Sequence, residues 1–169
     1  MIRREPPNAH DSGDIEELLR VLAKMYEHIV IDAGNMINAC SVAALYAAET
    51  VFLITNPDVP SIRNAQRLVD RVRQLGAGSE RVKILLNRVS DQHLIAPKQI
   101  ETALGYGIHH MFSSDYRTVS TALNSGVPLA LANQSELASQ FDAFTRQLLG
   151  HQAEAKAEPE KKRAFLGLL

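Results

Sequence analysis

Cysteine is nearly absent from this chain of 169 residues: Cys40 stands alone. One thiol excludes an internal disulfide framework and fits a reducing compartment. No apolar run reaches the length of a membrane span, and the opening MIRREPPNAH lacks the apolar segment of a signal peptide. Charge of one sign is not in excess either. Lysine and arginine number 18 and aspartate and glutamate 19, a net −1, so nucleic acid is not an expected partner without a local basic patch. There is no G-x-S-x-G elbow for a hydrolase. His10, His28, His93 and His151 show no metal-ligand spacing. His109 and His110 are adjacent on an expected strand, where they would point to opposite faces. Cys40 sits among small helix residues with no sign of activation and reads as a packing residue. The expectation is one cytoplasmic domain large enough for a substantial core.

What is present is an alternation of two periods. Residues 1–13 are polar and read as an unstructured lead-in. Asp14 and Glu17 stand at capping-box spacing before Ile15, Leu18, Leu19, Leu22 and Met25, which predict a helix with one buried face. HIVID, TVFLITNP, RVKILLNRV and GIHHMF read as four strands. NACSVAALYAAE is helical. Residues 61–75 form the clearest amphipathic helix, which Gly76 and Gly78 stop. Further helices are expected from Pro97 to Gly105, from Asp115 to Gly126, and from the Ser135 cap to Gly150, with VPLALA as a short extended piece. Strands without polar alternation, separated by amphipathic helices, predict an α/β fold whose parallel sheet is covered by helices on both faces.

In such a sheet, ligands bind beyond the C-terminal strand ends. The residues there are Asp32, Gly34 and Asn35; Thr55, Asn56, Pro57 and Asp58; Asn87 and Arg88; and Ser113 to Asp115. Polar groups at one sheet edge suit a polar ligand.

In this order, HIVIDAGN, AAETVFLITNPDVPSIRNAQRL, KILLNRV and SSDYRTVSTALNSGVPL resemble the MinD/ParA group of deviant P-loop ATPases. The likeness covers residues 14–150 and is nearest to the CpaE/TadZ branch, which helps position pilus assembly machinery. It implies a P-loop NTPase-like fold and the C-terminal portion of such a domain. It implies ATP and Mg2+ as cofactors, a homodimer, and partners in a pilus or other envelope machine. Asp32 would match the Walker B aspartate that holds magnesium through water, an oxygen anion fixed beside a hard dication. Gly34 and Asn35 would match the segment that senses the γ-phosphate. Asn87 would match the amide that reads the adenine edge, donating and accepting at once, and Arg88 could lie on the ring face. Asp115 would match the loop that closes over the base, although Ser113 stands where the family usually has proline.

One motif departs from the family. A phosphate-cradling loop needs G-x-x-x-x-G-K-[ST], and the chain contains no Gly-Lys pair. The expectation is therefore a fragment that does not hydrolyse ATP alone, with a naturally reduced relative as the alternative. Two other readings stand beside it. In a receiver-like signalling module Asp32 would accept phosphate, but the acidic residues of an earlier strand and the lysine ending a fifth are missing. A partner-binding scaffold without nucleotide is the other. Arg63, Arg67 and Arg71 share a helix face opposite the apolar one and read as a solvated face. Residues 151–169 change character: a charged linker leads to KKRAFLGLL, where Lys161, Lys162 and Arg163 precede Phe165, Leu168 and Leu169. That tail resembles the C-terminal targeting helix of MinD and suggests a weak peripheral contact with the inner membrane.

Overall fold

A computed structural model describes residues 10–91, 95–132 and 135–150. The described residues fall into two compact units, divided between Ser114 and Asp115. In the first unit, α1 (His10–Met25) packs on α2 (Ala39–Ala47), and β1 (Val51–Thr55), β2 (Val82–Val89) and β3 (Ile108–Ser113) alternate with α3 (Val59–Leu75) and α4 (Pro97–Leu104). The strands form one parallel sheet in the order β1-β2-β3. An α/β fold with a parallel sheet flanked by helices is thus as the sequence predicts.

The core lies where sheet and helices meet. Leu53, Ile84 and Leu86 pack with Ile62, Ala65, Val69 and Val72 of α3 and with Ile100 and Leu104 of α4. Each large side chain buried in this way contributes about 1.5–3 kcal/mol. Local chemistry fixes the ends of α3. Asp58 caps it, accepting the Ser61 N–H at 2.8 Å and the Ser61 hydroxyl at 2.9 Å. Gly76, at φ 65°, ends it in the left-handed conformation that glycine adopts without penalty. The end of α2 is tied to the same corner. The Tyr46 hydroxyl donates to the Leu75 carbonyl, and the Arg81 guanidinium donates to the carbonyls of Ala48 and Ala77.

Several expectations need correction. HIVID is not a strand: residues 28–34 join no ladder among the described residues. Val30 is 97% exposed, with Ile29 and Ile31 also open. A strand needs a neighbour to take its N–H and C=O groups, and no described segment pairs with this one. Among the described residues the sheet therefore has three strands, not four, and Asp32 stands in a segment that pairs with none of them. Helix α1 begins at His10, so part of the polar lead-in is helical. Its apolar face is only partly covered: Ile15, Leu19 and Leu22 are half-buried, while Leu18 and Met25 are largely exposed. The tail 151–169, including KKRAFLGLL, lies outside the described residues.

The second unit holds α5 (Tyr116–Ser125), α6 (Leu129–Ala132) and α7 (Glu136–Leu148), with α6 touching both neighbours. VPLALA is helical rather than extended. Pro128 opens the turn, and its carbonyl accepts the Leu131 N–H at 2.9 Å. Proline is pre-organised for that position and has no N–H to lose there.

Candidate functional site

Five residues chosen from the strand ends, Asn35, Thr55, Asn56, Asn87 and Arg88, line one groove of about 360 Å³. Ile54 of β1 joins them, with Ser61, Asn64, Ala65 and Leu68 from α3. The lining carries four side-chain amides, two hydroxyls and one guanidinium, and no carboxylate. Among the described residues, none of the four amides is hydrogen-bonded within the chain. An amide can donate and accept together, so the groove offers paired hydrogen-bonding edges to a flat polar ligand.

The sheet itself aims two of these groups. Leu86 pairs with Met111 and Val89 with Ser113, so three steps along β2 face two along β3. The extra residue makes a bulge at Asn87 and Arg88. Arg88 is the only non-glycine residue with positive φ among those described, at 56°. Such a conformation costs energy and recurs where a side chain must be re-aimed. The other side of the groove comes from the 28–38 segment. Gly34, at φ 65°, turns the chain, and its N–H donates to Asp32 Oδ1 at 3.1 Å. That turn leads into Asn35. Asp32 and Gly34 themselves are exposed and do not line the groove.

Asp115 belongs to the second unit. Its carboxylate caps α5, accepting the Thr118 N–H at 3.0 Å, and its hydrogen bonding to Thr118 holds its pKa below the usual carboxylate range. Sequence reading missed Ser61 and Asn64. A signal for them existed: they sit one turn apart on α3, at spacing that continues to Leu68.

The histidines need a correction too. Ile84 pairs with Ile108 and Leu85 with His110, so the register skips His109 and strict alternation fails there. Burial lowers the His110 pKa, and the neighbouring His109 lowers it further. Among the described residues no group of three His, Cys, Asp or Glu side chains could hold a metal.

No protein-family model matches the chain. It is 25% identical over 145 residues to the septum site-determining protein MinD of Thermotoga maritima, a match that covers 82% of this chain and 52% of that one. It is 27% identical to Escherichia coli MinD, covering 83% and 56%. Among solved structures, a ParA family ATPase from Chlorobium tepidum superposes with a TM-score of 0.74 at 24% identity, over 79% of this chain and 56% of that one. Aquifex aeolicus MinD gives 0.72 at 19%, over 88% and 62%. MinD complexed with Mg-ADP from Pyrococcus horikoshii gives 0.66 at 17%, over 85% and 60%. The fold is therefore that of MinD and ParA structures, and the sequence is similar to MinD. The chain spans about half the length of the curated relatives it matches.

Proposed function

We propose that residues 14–150 are the C-terminal portion of a MinD/ParA-like ATPase domain, and that the groove holds the base of an adenine nucleotide. The observation that carries this reading is the meeting of Asn35, Asn56, Asn87 and Arg88 in one cleft. Asn87 reads the base edge and Arg88 covers the ring face. Asn35 follows the turn at Gly34, on the side where the phosphates would extend, and Asp32 is the carboxylate nearest in sequence to that side. The similarity to MinD, one of whose structures is described as a complex with Mg-ADP, supports the choice of ligand.

The residues present fit the base better than the rest of the nucleotide. No lysine lines the groove, and Asp32 is a single exposed carboxylate. One carboxylate could hold magnesium only through water. Hydrolysis is accordingly not assigned to these residues. At the level of the cell, the reading is a nucleotide-dependent switch, or its remnant, in a cytoplasmic or peripheral protein of the CpaE/TadZ kind. It would form a homodimer and serve the placement of a pilus or another envelope machine. The basic tail Lys161–Leu169 would add a weak membrane contact.

Titration of the chain with AMP, followed by amide and side-chain NMR shifts, tests the base site. Shifts confined to Asn35, Asn56, Asn87 and Arg88, and lost in Asn87→Leu, are expected. Shifts spread over the surface, or none at these residues, would overturn it and favour the nucleotide-free scaffold.

A further inference from the structure

Helix α3 borders a second groove, of about 330 Å³, against α4. Arg63, Arg67 and Arg73 line it with Asp70, over a floor that includes Ala103 and Leu104. Parts of this cleft are held in place. Gln66 donates to the Ala103 carbonyl at 2.7 Å, joining the two helices. Arg73 pairs with Asp70 at 3.5 Å and stands 5.0 Å over the Tyr106 ring. Arg63 and Arg67 differ from it: both are exposed, and among the described residues neither makes a hydrogen bond or an ion pair. They stand one turn apart, a rise of about 6 Å. Like charges at that spacing destabilise a helix, and the nearby carboxylate of α3, Asp70, pairs with Arg73. Arg71, which the sequence groups with them, turns instead to Gln74 at 3.3 Å.

We propose that this groove binds an acidic peptide segment of a partner protein, with two carboxylates of the partner, one helical turn apart, engaging Arg63 and Arg67. Each guanidinium presents a planar fork that matches a carboxylate with two parallel hydrogen bonds. Arg73 is already oriented by its stacking on Tyr106, so little of its freedom is lost on binding. A nucleic-acid backbone fits less well. Asp70 places a carboxylate inside the groove, and a net charge of −1 supplies no long-range field to draw in a polyanion. The site is separate from the amide groove, so its failure would leave the nucleotide reading untouched.

The test uses the full chain and a short fluorescein-labelled peptide with glutamates four residues apart on an alanine scaffold. The same peptide with glutamines and a short DNA duplex serve as comparisons, all read by anisotropy. Binding of the glutamate peptide is expected to weaken about tenfold or more on raising the salt or in Arg63→Glu/Arg67→Glu. The thermal melt of the variant should match the parent, since both side chains are exposed. Arg63→Ala/Arg67→Ala should show an intermediate loss. Equal binding of the glutamine peptide, unchanged binding by the double variant, tighter binding of DNA, or no peptide binding would each overturn the proposal.

Discussion

At the scale of single residues, the groove depends on one backbone angle. Arg88 holds φ at 56°, and the bulge it forms gives Asn87 its place in the lining. Nothing in KILLNRV announces this. A left-handed residue at a strand end is legible when it is glycine or asparagine, and here arginine occupies the position. Arg88 was therefore not legible. The consequence is measurable. Arg88→Gly relieves the strain and should hold or slightly raise stability. Arg88→Val places a β-branched residue where positive φ is least tolerated, and should cost about 1–3 kcal/mol. Urea denaturation of the two variants checks the difference. If both lose the same stability, the guanidinium's own contacts matter more than the backbone, and the bulge is not the device that sets Asn87.

At the scale of elements, some were legible from local signals alone, while VPLALA, expected as extended, is helical. Helix α3 carries its own cap, its own stop and a clear apolar period, and β2 is an apolar run ended by a polar pair. The 28–32 segment has equally strong local signals, yet it is not a strand. Propensity describes how well residues fit a pleated, half-buried surface, and here that surface is missing. Burial belongs to the partner as much as to the segment. Part of the candidate site was misplaced for the same reason, since Asp32 was expected at the end of a rigid strand. Replacing Val30 by Thr should therefore change stability by less than about 0.5 kcal/mol. Ile84→Ala, at a side chain with no exposure in β2, should cost about 2–5 kcal/mol. Chemical-denaturation midpoints of both variants provide the check. A loss at Val30 comparable with that at Ile84 would show that the segment is covered in solution.

For the whole molecule, the question is what the proposed base site, without a phosphate cradle, can hold. The chain has no Gly-Lys pair, and no lysine lines the amide groove. What remains is hydrogen bonding from amides, each bond worth about 0.5–1.5 kcal/mol net of water. Three such bonds give about 1.5–4.5 kcal/mol, while even millimolar binding requires about 4.1 kcal/mol. Stacking of Arg88 on the ring could add about 0.5–1 kcal/mol at an exposed site. The sum, about 2–5.5 kcal/mol, reaches at best about 0.1 mM and falls well short of micromolar affinity. ATP should then bind the chain no more tightly than AMP, because the added phosphates meet no fixed donors. Steady hydrolysis should not be measurable. Asp32→Ala should leave both results unchanged, since a carboxylate acts on magnesium only when phosphates already hold that ion. Titration of fluorescent AMP and ATP analogues with and without magnesium, beside a phosphate-release assay, measures all three. Micromolar binding of ATP, a magnesium-dependent gain lost in Asp32→Ala, or steady release of phosphate would show instead that these 169 residues build a phosphate site of their own.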